Sequence, residues 1–453
     1  MIITRDKSFY STLIKLSIPI ALQNLITFCV GLADNLMIGS LGDSAISGVY
    51  MGSQVQTLMQ VFSTGIEGAI LVLSAQYWGK RDTGSIKKIV SIGLKFSVIF
   101  GLIVSIICAV SPGWVISLFS PDSAVIASGR EYLGVLCYSF VFFCITQSLI
   151  ASMRSVETAN IGMAVSLVSL VVDVALNYVL IFGKFGFPVL GVRGAAIATL
   201  TARICECVIM IIYVFIIDKK LKLSVKDLLT FDRILLKDFI KYGSPIIAGQ
   251  VVWACNMMAN SVIIGHMGKE VTAAVSIANM LNNLAYVTMN GMAAAVGIIT
   301  GKTVGAGKRD KMTEYAKTVQ VIFLGLGIVT GLTLFLIKNP FISFYNVSEE
   351  AGAYAKQFIN VLSVTMVGTC YQCACLFGLV KSGGDIGFVF KNDTLFVFLV
   401  VIPSALISVK LGAQPWITFL CLKSDQILKC FVAAVKINRF NWMRNLTRDA
   451  EST

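Results

Sequence analysis

VQVIFLGLGIVTGLTLFLI, residues 319–337, carries no charged side chain and is long enough to cross a bilayer as a single helix. Comparable apolar runs recur along the chain: Leu94–Val110 with its flanks, Val165–Phe182, Val208–Ile217 with the preceding turn, and Leu395–Val409. Of the 453 residues, 56% are hydrophobic and only 13% are charged, and mean hydropathy is +0.82. A soluble domain keeps roughly a quarter of its residues charged, so most of this surface must face hydrocarbon. The pattern predicts an all-α integral membrane protein with twelve spans: 13–38, 45–77, 89–110, 130–153, 160–182, 194–217, 243–265, 271–304, 317–337, 352–380, 390–409 and 413–436.

The net charge of +13 is not spread evenly. Of the 37 Lys and Arg, 24 fall in alternate connecting segments: 1–12, 79–88, 154–159, 218–241, 305–317, 381–391 and 436–453. That bias is the positive-inside pattern, and it predicts a multi-pass cell-membrane protein with both termini cytoplasmic. The basic excess therefore reads as topology and contact with anionic membrane lipid, not as a nucleic-acid surface. The start, MIITRDKSFYSTLIKLSIPI, lacks a small-residue cleavage site and reads as a short lead into the first span.

Internal repetition sets the organisation. Lys15, Pro19, Ile38, Gly39 and Gly42 stand at one offset, 226 residues, from Lys241, Pro245, Ile264, Gly265 and Gly268. At the same offset Asp34 falls on Asn260, and Gly65 falls on Gly291. After a two-residue shift, GKRD at 79–82 recurs at 307–310, and Pro112 recurs as Pro340. Six spans return the chain to its starting side, so the two halves share an orientation. They are expected to form two six-helix lobes related by a pseudo-two-fold along the membrane normal. The expected domains are an N-terminal lobe 1–217, a basic amphipathic cytoplasmic linker 218–241, a C-terminal lobe 242–437 and a cytoplasmic tail 438–453; a monomer is expected.

The stretch LNYVLIFGKFGFPVLGVRGAAIAT, residues 176–199, resembles the signature around helices 5 and 6 of the multidrug and toxic compound extrusion (MATE) family. LADNLMIGSLG at 32–42, AQYWGKRD at 75–82 and RFNWMRNLT at 439–447 are similar to the ends of its helices 1 and 2 and to its C-terminal segment. The resemblance implies twelve helices in two V-shaped lobes and export of organic cations against an inward flow of sodium ions or protons.

Carboxylates within apolar spans are the informative residues, because insertion at mid-bilayer costs about 2.5–3.5 kcal/mol and marks a function by default. Asp34, Glu67, Asp173 and Glu206 are four such groups in the first half. Burial disfavours the charged form of a carboxylate, so such a group can exchange a proton near neutral pH or hold sodium while ionised. Asp34 matches the acidic residue of helix 1 that the resemblance assigns to ion coupling; the bland reading is an interfacial acid capping a loop. Asp173 and Asn177 share one helix face four residues apart, and their order is reversed against the Asn-then-Asp order of DinF-like members; a plain polar pair joining two helices is the alternative. Thr199 matches a hydroxyl of the same site, or packs on a seam with Gly191, Gly194, Ala195, Ala196 and Ala198. Glu206 stands three residues after Arg203, and Asp425 four before Lys429, both natural ion pairs. Glu67, in GIEGA, either lines a cleft or bonds a neighbouring helix.

The NorM-like branch is expected to carry acids in helices 7 and 10, but those positions here are Trp253 and the neighbourhood of Cys370. Coupling is therefore expected in the first half, in the DinF-like manner. Trp253, Met257 and Tyr371 are candidate aromatic and soft contacts for flat cationic substrates, with core packing the alternative. The twelve cysteines, including CYQCAC at 370–375, read as small packing residues; beyond sodium at Asp34 and Asp173, no metal and no cofactor other than the coupling ion are expected. The absence of GxxxxGK[ST] favours an ion gradient over ATP. One histidine, His266, and no nucleophile–base pattern argue against an enzyme. The resulting expectation is a proton- or sodium-coupled antiporter for small organic cations, with a flippase or exporter of a lipid-linked or other amphipathic metabolite as the alternative.

Overall fold

A computed structural model describes residues 3–41, 43–345 and 347–448, without the side chains of Asp43 and Ser44. Gly42 of the repeat, and residues 449–453 of the expected tail, lie outside the described residues. The regular structure of the described residues is helical, apart from an isolated bridge between Gly384 and Met443. It groups into two compact units, Leu22–Ile247 and Met1–Ala21 with Ala248–Thr453. This grouping differs from the chain-order division at the linker. The boundaries fall inside two helices, just after Pro19 and Pro245, and Ala21 and Ile247 themselves stand at the repeat offset.

The first unit contains most of α1 (Lys7–Ile38), then α2 (Asp43–Lys80), α3 (Thr83–Val110), α4 (Pro112–Ser117), α5 (Ser123–Leu136), α6 (Ser139–Ser155), α7 (Asn160–Phe182), α8 (Gly191–Ile212), α9 (Val225–Leu229) and the start of α10 (Arg233–Gly265). The second unit holds the rest of α10, α11 (Lys269–Gly305), α12 (Arg309–Ser343), α13 (Glu349–Gln372), α14 (Ile386–Phe396), α15 (Ile402–Lys410), α16 (Pro415–Leu422) and α17 (Ser424–Asn438). Among the described residues ten helical segments are long and apolar enough to span a membrane, and α5 with α6, bent by 51°, makes an eleventh. The twelfth expected span, 413–436, is occupied by α16 and α17, which meet at Lys423 and are each too short to cross alone.

The helices reverse the polarity of a soluble bundle. In α3, Ser91, Ser97 and Ser105 are buried, and Ser148 donates to Ser97 across to α6 at 2.7 Å. The outer face of the same helix exposes Phe96, Ile99, Ile103, Ile106 and Val110. In α12, Leu324, Ile328, Leu332 and Phe335 are exposed at helical spacing. Lipid tails are as apolar as leucine, so small and polar residues on the buried faces help hold such helices together, beside buried apolar side chains such as Ile86 and Ile89 of α3.

The basic linker is shorter than expected, because Arg233–Lys241 already forms the first turns of α10. What remains folds against the end of α3. Ser224 and Asp227 cap α9 reciprocally, Lys87 and Lys88 reach Asp227 and Asp232 at 3.0 Å each, and Lys95 donates to the Thr230 carbonyl at 2.9 Å.

Candidate ion-coupling site

Close helix packing creates the site. A Cβ on Gly194 of α8 would stand 2.7 Å from the carbonyl oxygen of Leu180 on α7, and Ala195, Ala196 and Ala198 beside it are buried. The expected seam of small residues is therefore the contact that brings α7 against α8. It sets Asp173 and Asn177, one turn apart on α7, opposite Thr199 and Arg203, one turn apart on α8.

Asn177 joins this pair of helices to α1. Its Nδ2 donates to Asp34 Oδ1 at 2.7 Å and to Asp173 Oδ2 at 3.3 Å. The carboxyls of Asp34 and Asp173 face each other, and the Thr199 hydroxyl faces Asp173. Asp173 is 1% exposed, Asn177 is fully buried and Thr199 is 7% exposed. Neither carboxylate forms an ion pair among the described residues, and Asp34 is only half-buried. All four expected coupling residues thus converge, and the reversed Asp173–Asn177 order still places one amide between two acids.

Two oxygens at the centre have no hydrogen-bond partner among the described residues: Asp173 Oδ1 and Asn177 Oδ1. A buried acceptor without a donor costs about 1–3 kcal/mol. An amide oxygen cannot be protonated in this range, so it is satisfied by a donor or by a cation. Two such oxygens beside two facing carboxyls form a set of hard ligands suited to a small cation or a proton.

Arg203 pairs with Glu206 at 2.7 Å, as the spacing predicts, and its guanidinium lies 5.1 Å over the Phe143 ring. It also acts electrostatically on both Asp34 and Asp173, and buried Tyr132 on α5 feels all three charges. From its spacing Arg203 is expected only as the partner of Glu206. The four-residue spacing from Thr199 was the available sign that it belongs to the site.

Glu67 is in the same unit but in another cluster. Ser63 donates to it at 3.3 Å, and Arg154 acts on it electrostatically while donating to Gln23 at 2.7 Å. Trp253, Met257 and Tyr371 belong to the second unit. Trp253 and Met257 are exposed on one face of α10, 54% and 44%, and the Tyr371 hydroxyl donates to Gln320 at 2.7 Å. Cys370, Cys373 and Cys375 are buried. In the second unit Lys429 binds Asp425 at 3.0 Å, as the spacing predicts, and also Asp393 on α14 at 2.9 Å, a partner the spacing does not announce. Asp393 lies in the eleventh expected span, where its position among apolar residues was the missed signal.

The MatE family profile matches residues 19–179 and 245–407, two segments whose starts stand at the repeat offset. The chain is 25% identical over 425 residues to the Uncharacterized transporter YisQ of Bacillus subtilis, covering 92% of this chain and 91% of that one. It is 23% identical over 352 residues to the Probable multidrug resistance protein NorM of Thermotoga maritima, covering 78% and 75%. Among solved structures, the Vibrio cholerae MATE transporter VcmN in the bent form matches with a TM-score of 0.86 at 15% identity, covering 96% of this chain and 97% of that one.

Proposed function

The chain belongs to the MatE family and is a multi-pass membrane transporter, not an enzyme, and on that premise we propose that it exports small organic cations from the cell by antiport against protons or sodium ions. The coupling ion binds at Asp34, Asp173, Asn177 and Thr199. One observation carries this reading: a single amide, Asn177, bridges two acids on different helices while two buried oxygens beside them lack a donor. When a cation occupies those oxygens, its charge offsets the repulsion between the carboxyls. When it leaves, the repulsion returns and favours a different arrangement of α1 against α7 and α8. Binding at this site therefore biases one conformation over another, which is the requirement for coupling. The relatives named as multidrug resistance proteins support drugs and toxic compounds as the cargo class, and the charge asymmetry supports a cell-membrane orientation with both termini inside.

Moving one charge down 100 mV is worth about 2.3 kcal/mol, so one or two ions support concentration ratios of tens to thousands. The test is movement of a fluorescent organic cation such as ethidium in proteoliposomes under an imposed proton or sodium gradient. Gradient-dependent movement that Asp34→Asn abolishes supports the reading. No movement under either gradient, with correctly inserted protein, removes it.

A further inference from the structure

The linker between Ile217 and α10 is a built structure, not a loose tether. The Asp218 carboxylate accepts from the backbone N–H groups of Lys220, Leu221 and Lys222 at 2.7–3.3 Å. It holds Lys222 in the left-handed region, at φ +49°, which residues with a side chain rarely adopt. Leu221 and Leu223 are buried, and Lys222 between them is exposed. Asp227 and Asp232 turn to Lys87 and Lys88 of α3, at 3.0 Å each, so the acids of this segment are matched on the docked side. What faces outward is basic and apolar. Lys222, Lys226 and Arg233 are exposed and form no ion pair among the described residues. Beside them Val225, Leu229 and Phe231 are 67%, 79% and 62% exposed.

The depth of this edge follows from α3. A hydrocarbon crossing takes about twenty residues; counted back from Val110, the last residue of α3, it begins near Ser91. The Ser91 hydroxyl donates to the Leu228 carbonyl and Lys95 to the Thr230 carbonyl, both at 2.9 Å. Leu229 is thus pinned where hydrocarbon begins, and with Phe231 it meets acyl chains, not water. Apolar side chains at that level with cations around them make an interfacial anchor, whose affinity combines apolar burial with attraction to anionic headgroups. We propose that this edge binds anionic phospholipid. Lys222, Lys226 and Arg233 take the headgroup charge, while Val225, Leu229 and Phe231 enter the acyl boundary. A lipid seated there holds α3 to its leaflet through the contacts of Lys87, Lys88 and Lys95 with the linker. The charge count along the chain implies lipid contact in general; the folded linker gives it this one place. The inference requires only that the chain spans a membrane, and it stands whether or not the chain exports cations.

The test uses the purified full chain in a neutral detergent, titrated with phosphatidylglycerol or with phosphatidylcholine of the same acyl chains. Thermal unfolding is the readout. Phosphatidylglycerol is expected to raise the unfolding temperature at lower concentration than phosphatidylcholine, and inorganic phosphate to leave it unchanged. Each basic side chain near an anionic surface strengthens binding about fivefold. Lys222→Gln with Lys226→Gln is therefore expected to need about twenty-five times more phosphatidylglycerol for the same rise. Lys308→Gln with Lys317→Gln, an exposed pair outside the linker, leaves the titration close to wild type. Phe231→Trp in bilayers is expected to gain fluorescence that lipids brominated near the headgroup end of the chain quench more than lipids brominated near its methyl end. All these positions are exposed, so the variants keep the fold. Equal responses to the two lipids, or equal losses in the two lysine pairs, would overturn the proposal. So would an added tryptophan that neither brominated lipid quenches. A dimer that Leu229→Ser with Phe231→Ser turns into monomers would assign the edge to a second copy of the chain and overturn it as well.

Discussion

Gly65 of α2 lies so close to Ile247 of α10 that a Cβ on the glycine would stand 2.8 Å from the Ile247 Cα. In the other unit, Gly291 of α11 meets Ala21 of α1 in the same way, at 2.7–2.8 Å from its backbone N and Cα. Gly291 is the repeat partner of Gly65, and Ile247 is the repeat partner of Ala21. Each unit therefore contains the same helix crossing, made from residues at equivalent places in the duplicated sequence. The close approach explains why both positions are glycine: any side chain would separate the two backbones.

Gly65→Val and Gly291→Val are expected to destabilise the protein similarly, by the 1–3 kcal/mol of an overpacked contact. Gly325→Ala and Gly249→Ala, where nothing lies within 4 Å of an added Cβ, leave the unfolding temperature unchanged. Thermal unfolding of the four variants in detergent checks this. Equal tolerance at all four positions would mean that the crossings are looser than described.

Asn177→Ala removes the donor shared by Asp34 and Asp173. A hydrogen bond to a charged group is worth about 1.5–3 kcal/mol, so gradient-driven transport is expected to fall about tenfold or more. Insertion and expression remain normal, because the pairing of α7 with α8 at Gly194 is untouched. Transport rates in proteoliposomes, normalised to inserted protein, give the answer; an Asn177→Ala rate equal to wild type contradicts the bridging role.

Arg154 and Glu67 form a half-buried pair of opposite charges that, among the described residues, make no direct ion pair, each held by a polar neighbour. Removing one member of such a pair leaves the other charge without its counter-charge, at a cost below the about 3–5 kcal/mol of breaking a fully buried salt bridge. Arg154→Met is therefore expected to be much less stable than Glu67→Gln, and the double variant should recover part of the loss. A double-mutant cycle on unfolding temperature measures the coupling; strictly additive effects would show that the two groups are independent.

Asp6, ahead of α1, is an acid-sensitive contact outside the spans. Its carboxyl accepts from the Tyr315 hydroxyl at 2.7 Å and from the Ser8 backbone at 2.9 Å, with Lys311 at 3.6 Å. These donors, Tyr315 foremost, lower its pKa from 3.8 to about 2. A carboxyl with a lower pKa when folded contributes stability above its unfolded value and loses it as pH falls through the folded one. The stability gap between wild type and Asp6→Asn is thus constant above about pH 4 and closes between there and about pH 2. Tyr315→Phe shifts that closure to higher pH. Unfolding temperatures across this range test it, and a gap that persists unchanged at pH 2 would exclude the contact.

Much of the architecture was legible from residue order. Apolar run length identified the helices, because a chain in hydrocarbon must satisfy every backbone N–H and C=O within a helix. The 226-residue offset announced the duplication. Asp34 and Asp173 stood out because charged groups inside apolar spans are costly, Asn177 because it shares a helix face with Asp173, and Thr199 only through its match to the family signature. The break of the last span at Lys423, the bend between α5 and α6, and the early start of α10 were not legible, since each depends on packing partners distant in sequence.

Sequence alone determined that this protein is a helical, duplicated membrane protein and which polar groups fall within its apolar spans; those properties follow from local composition and spacing, whereas a transport role came from the resemblance to the MATE family. Tertiary structure alone decided that Asn177 reaches Asp34 across 143 residues, that Arg203 faces the two acids, that Asp393 shares Lys429 with Asp425, and that the compact units divide α1 and α10 at matching points. Such relations are set by how closely two backbones can approach, and that distance depends on side chains from both helices at once.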